Sequence, residues 1–122
     1  MKLKNVVVGI LFLLGACRPE PTVRGNTYFL RGSPLEISLS FDAHENRYFG
    51  KVVNRYYGTY QMDENTISFS SPSSTMYSGD EDDLVLEETY LSDLSTAKTY
   101  RLDENTLTLH LTNHKELVFD LR

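Results

Sequence analysis

The sequence predicts a mainly β protein: a small antiparallel sheet, strongly curved, with one α-helix packed against it. Three observations predict it. Short segments alternate apolar and polar residues with the period of a half-buried strand. Polar or glycine-bearing turns separate them. A single stretch, Asp83 to Ala97, has neither alternation nor a glycine or proline. Eight tyrosines and six phenylalanines suit pleated, partly buried surfaces.

The chain opens on an export signal. Lys2 and Lys4 precede an apolar run from Val6 to Leu14, too short to span a bilayer stably. Leu14-Gly15-Ala16-Cys17 then resembles a lipobox, in which small residues before the cysteine expose the backbone to a signal peptidase. Residues 1–16 are therefore expected to be removed, and Cys17 to carry the lipid. Each buried methylene of an acyl chain contributes roughly 0.8 kcal/mol, so several chains anchor firmly. Cleavage nearby without lipid, or an uncut anchor, are the competing readings. Three features agreeing in order and spacing favour lipidation. Cys17 is the one cysteine, so lipid consumes the only thiol and no disulfide forms.

Cleavage leaves 106 of the 122 residues, one small domain. The net charge of −5 becomes −7 once Lys2 and Lys4 are gone. That balance argues against nucleic acid and against electrostatic adhesion to anionic lipid, leaving membrane attachment to the acyl chains. Residues 17–24 hold the lipidated cysteine and a stiff tether containing Pro19 and Pro21. Position 18 is arginine, not the aspartate that retains proteobacterial lipoproteins at the inner membrane. The expected address is the cell envelope, at the outer membrane.

The domain, residues 25–122, reads as successive strands. Thr27–Arg31 is the first. Leu35, Ile37, Leu39 and Phe41 alternate with Glu36, Ser38 and Ser40. Asp42–Asn46 turns the chain into Tyr48–Asn54 and Tyr56–Met62. Ile67 and Phe69 mark the next strand, and the serine-rich Ser70–Gly79 reads as a loop. In the stretch Asp83–Ala97, Leu84, Leu91 and Leu94 form a helical stripe, with Asp80, Glu81, Asp82 and Asp83 at its start, where carboxylates suit the helix dipole. Leu107, Leu109 and Leu111 alternate, and Leu117, Phe119 and Leu121 close the chain after the turn Thr112–Lys115. Tyr60–Phe69 is echoed by Tyr100–Leu109. Both copies carry Asp-Glu-Asn-Thr, a tight-turn sequence, so each reads as a β-hairpin. Two copies of an acidic ligand loop is the competing reading.

The order of these features resembles the META domain family, that of HslJ-like heat-shock lipoproteins. Gly50, Asn54, Arg55, Gly58 and Tyr60 match the motif that ends one strand and starts the next. Thr75 and Met76 match the start of a threonine-led motif. Glu87, Tyr90, Leu91 and Leu94 match a helix with a glutamate and an aromatic-leucine pair. Tyr100 to Phe119 matches the closing hairpin. The chain departs from the family in its cysteine pair: Val53 replaces the first, and Ser78 or Gly79 the second. Val52 stands where many members have glycine, and Tyr28 replaces the usual tryptophan. The resemblance implies a lipocalin-like barrel, no enzymatic activity and a link to stress tolerance. The matched Gly50, Asn54, Gly58, Thr75 and Glu87 read as structural: the glycines for close backbone approach, Asn54 for a backbone hydrogen bond at the turn, Glu87 to cap or pin the helix.

No residue set spells out a reaction. Serines abound, but none sits in a nucleophile elbow. His44 and His114 fall in turns and His110 on a wet strand face, short of a zinc set. Asp80–Asp83 lacks the alternation and glycine of a calcium loop. Neither cofactor nor metal is expected. Tyr48, Phe49, Tyr56, Tyr57 and Tyr60 form an aromatic cluster. Its residues are read as core packing, or, with Tyr48, Tyr56, Tyr57 and Tyr60, as the wall of a groove for a peptide or apolar ligand. The expected role is a monomeric, non-enzymatic binding module for an envelope protein or peptide. A carrier of a small apolar ligand is the alternative. Large inward candidates such as Leu39, Phe41 and Leu109 oppose it, because they fill a small barrel.

Overall fold

The computed structural model describes residues 21–75 and 79–122. The signal segment, Cys17, Met76 and Ser78 lie outside the described residues. Nine strands run as β1 Thr27–Leu30, β2 Ser38–Phe41, β3 Arg47–Lys51, β4 Arg55–Met62, β5 Ile67–Phe69, β6 Ser73–Ser74, β7 Ala97–Leu102, β8 Thr106–Leu111 and β9 Glu116–Leu121. Among the described residues one helix, α1, spans Glu81–Leu94 between β6 and β7.

All pairings are antiparallel, in the order β5-β4-β3-β2-β1-β9-β8-β7, with β6 also on β4. The two ends of this order meet. Thr66 bridges Thr99, and the Tyr100 amide donates to the Asn65 carbonyl at 3.1 Å. The sheet is thus a nearly closed barrel. Its inside is filled by Tyr28, Leu39, Phe41, Tyr48, Tyr56, Leu107, Leu109 and Phe119, all essentially without solvent exposure. Aromatic rings meet edge to face there, Phe41 with Tyr60 at 5.1 Å and Tyr48 with Phe69 at 4.9 Å.

The repeated Asp-Glu-Asn-Thr folds twice in the same way. Asp63 N–H donates to the Thr66 carbonyl and Asp103 N–H to the Thr106 carbonyl, both at 2.9 Å. Each turn's asparagine carbonyl is then taken by the next strand: Asn65 by Tyr100 and Asn105 by Leu121. The Tyr100 hydroxyl donates to the Asp63 and Glu64 carbonyls, clamping the first copy. Both copies are hairpin turns, and the first closes the barrel.

Two expected boundaries are corrected. The helix starts at Glu81 and ends at Leu94, so Ala97 opens β7 instead of closing the helix. Thr96 stops it: its amide and hydroxyl both bond the Asp93 carbonyl, and the Thr96 carbonyl accepts from Thr112 of the last hairpin. The buried helix face is Glu87, Tyr90 and Leu94, with Leu84 and Leu91 half-buried beside it. The serine-rich stretch is not all loop. Ser73–Ser74 pairs with Tyr57 and Tyr56 of β4, and the Thr75 amide donates to the Arg55 carbonyl at 3.0 Å.

Candidate functional site

The family-motif residues form one structural unit. In β3 and β4, Gly50 stands opposite Tyr56, and Tyr48 opposite Gly58. Each tyrosine lies across the facing glycine. A Cβ on Gly50 would come within 2.6 Å of the Tyr56 hydroxyl, and one on Gly58 within 2.7 Å of the Tyr48 hydroxyl. The rings therefore reach one strand further. Tyr56 donates to the Ser38 carbonyl of β2 and shares a 2.7 Å bond with the Tyr90 hydroxyl of α1. Tyr48 donates to the Ser70 carbonyl at 2.7 Å.

Glu87 ties the helix to the β3–β4 turn. Its buried carboxylate accepts from the amides of Val53 at 3.1 Å and Asn54 at 2.7 Å, and from the Asn54 side chain at 3.0 Å. Three charge-assisted bonds offset the cost of burying the carboxylate. Thr75 fastens the other side of the turn, its hydroxyl accepting from the Arg55 amide. Gly79 packs on Val53, since a Cβ there would lie 2.8 Å from a Val53 methyl. Val53, which the resemblance matches to the family's first cysteine, is thus adjacent to Gly79, one of the two positions matched to the second.

The aromatic cluster divides by strand alternation. Tyr48, Tyr56 and Tyr60 point inward and are buried. Phe49 and Tyr57, paired across β3 and β4, point outward and are 46% and 56% exposed. Burial pushes the Tyr48 phenol up to about 12 and raises Tyr56 and Tyr90 further. These phenols stay neutral near pH 7 and act as hydrogen-bond donors, not as bases.

The histidines stay apart. His110 pairs with Glu116 across the final hairpin at 3.2 Å, and His114 sits in its turn with φ 70°. Among the described residues, no three His, Cys, Asp or Glu gather around a metal position. No helix of the described residues is long and apolar enough to cross a membrane.

Two concave places open at opposite ends of the barrel. At the end of the β2–β3, β4–β5 and β7–β8 turns, a cavity of about 280 Å³ is lined by Val23, Arg24, Tyr60, Met62, Asp63 and Tyr100. Val23 is buried there, and the Asn26 amide bonds its carbonyl, so packing starts ahead of Gly25. At the other end, an apolar groove of about 390 Å³ runs between α1 and the β1–β2 loop. Leu30, Pro34, Ile37, Val85, Leu86 and Leu117 line it, and Val85 is 56% exposed. Sequence reasoning missed this groove. Val85 lies off the leucine stripe, and Leu30 and Pro34 come from the end of β1 and the loop after it, distant in sequence.

The META domain family matches residues 22–122. The chain belongs to the META domain family. Solved structures agree with the META fold. An NMR structure of a protein from Burkholderia xenovorans superposes with TM-score 0.69 at 20% identity, covering 86% of this chain and 92% of that one. A second NMR structure gives 0.59 at 19% identity, with 80% and 90% covered. The crystal structure of a duf4847 family protein from Bacteroides vulgatus gives 0.51 at 21% identity, with 69% and 57% covered. No curated protein matches the chain.

Proposed function

We propose that this META-domain chain is a non-enzymatic envelope lipoprotein. Cys17 carries the lipid, and the barrel is a monomeric interaction module for an envelope protein or peptide. The observation that carries this reading is the apolar groove beside α1. It faces away from the end where Thr22–Asn26 enters the barrel, so an anchored domain presents it to the surroundings. Exposed Val85 and the flanking leucines offer the burial a peptide or helix face needs. The stress-tolerance setting rests on the family resemblance alone.

The test is a crosslinking pull-down from envelopes with the lipidated protein. One partner is expected to crosslink at the groove, and Val85→Glu is expected to lose it. Capture unchanged by Val85→Glu would remove the groove from this reading. Separately, Cys17→Ser is expected to abolish palmitate labelling; a labelled mutant would remove the anchor.

A lipocalin-like carrier is the second reading. The barrel shape and the mouth cavity of about 280 Å³ favour it. That volume is just below the range of ligand sites, about 300–1,000 Å³, and the barrel interior behind it is packed with side chains. The interaction module therefore stands first.

A further inference from the structure

The charge of this acidic chain is unevenly placed. Residues 46–62 hold Arg47, Lys51 and Arg55 and no carboxylate. All three cations are exposed, on the same outer face of β3–β4 as Phe49 and Tyr57. The register sets Lys51 directly opposite Arg55. Like charges facing each other across a strand pair repel, so this pair costs the isolated domain stability. Neither has an ion-pair partner among the described residues, and Arg47 pairs only with exposed Glu45. A groove of about 530 Å³ runs along the exposed rings to Thr59, Ser70 and Ser73. Asp42 lines its edge, but that carboxylate accepts the His44 and Glu45 amides of its own turn.

The route of the chain to the membrane meets this face. The Arg24 guanidinium bonds the Asn46 side chain and the Glu45 carbonyl. Asn46 directly precedes Arg47, so the N-terminal segment leaves the barrel beside the Arg47 end of the face. From Thr22 back to Cys17 an extended chain reaches at most about 17 Å.

We propose that the outer β3–β4 face lies on an anionic bilayer surface, with Arg47, Lys51 and Arg55 on the headgroups and Phe49 and Tyr57 at the interface. The proposal rests on the reading of Cys17 as the lipid anchor. The mature net charge of −7 does not oppose it, because screening over about 8 Å lets the headgroups feel the nearest face and not the sum. Cationic side chains near an anionic leaflet and aromatic rings at its boundary are both favourable. Lying on this face, the domain keeps the α1 groove clear of the bilayer.

The chain has no tryptophan, so single tryptophans report depth cleanly. The lipidated Phe49→Trp, Tyr57→Trp and Val85→Trp proteins are reconstituted in vesicles of brominated phosphatidylcholine, with and without an equal part of phosphatidylglycerol. Bromine is expected to quench Phe49→Trp and Tyr57→Trp in the anionic vesicles, less in phosphatidylcholine alone, and Val85→Trp in neither. Each cation near the leaflet raises occupancy about fivefold, so adding Lys51→Gln and Arg55→Gln should lower it about 25-fold. No quenching at positions 49 and 57 in protein that floats with the vesicles would overturn the proposal, as would equal quenching at all three sites. A protein seated on the face gives quenching at positions 49 and 57 and none at position 85. Palmitate label in the same preparations reports the anchor independently.

Discussion

Glu87 accepts three hydrogen bonds from the β3–β4 turn. Glu87→Ala is expected to cost about 3 kcal/mol in urea unfolding, because it removes the carboxylate that three donors of the turn share. Glu87→Gln should cost less, since its one carbonyl oxygen still accepts. Gly50 answers a different constraint: the Ser38 carbonyl and the Tyr56 ring occupy the space a side chain would need. Gly50→Ala is expected to cost about 2–3 kcal/mol by the same measurement. A cost under half a kcal/mol for either would contradict the packing described. The resemblance singled out Gly50, Asn54 and Glu87 from sequence. It did not give their partners, because the bond from Glu87 to Asn54 spans 33 residues and pattern reading is local.

Alternation found most strands, since one face of each is buried and register follows from it. It erred where the chain changes direction. Ser73–Ser74 lacks an apolar residue, and only pairing with β4 makes it a strand. The leucine stripe gave only part of the helix's buried face, because Glu87 and Tyr90 hold its centre through bonds to distant groups. Val53 and Gly79 supply a test of how the β3–β4 turn meets the start of α1. Val53→Cys with Gly79→Cys is expected to oxidise spontaneously and raise stability by about 3 kcal/mol, read as a shift in Tm that dithiothreitol reverses. Two free thiols under oxidising conditions would contradict that placement.

Across the whole molecule, burial and charge set opposite limits on pH. Backbone amides hold the Asp42 carboxyl low, and Arg31 holds that of Asp120 low. Their folded pKa values lie below the unfolded ones, so the unfolded chain binds more protons in between. That stabilisation is complete above the ordinary carboxylate range, about pH 4, and is lost as pH falls further. The phenols act in reverse. Tyr48 moves from 10 to about 12, so the folded chain keeps a proton that the unfolded chain releases. Stability is full below pH 10 and falls as pH rises toward 12, more steeply with Tyr56 and Tyr90 adding to it. Tyr90→Phe should flatten the alkaline limb of Tm against pH. Composition alone averaged the charge and hid its segregation onto one face, which only the strand register exposes. The central claim is a filled META barrel, anchored at Cys17, that works through its outside. Native mass spectrometry of the protein released from envelopes tests it most directly. The expected mass is residues 17–122 plus an acyl anchor and nothing else; a stoichiometric apolar small molecule held without a covalent bond would contradict the account.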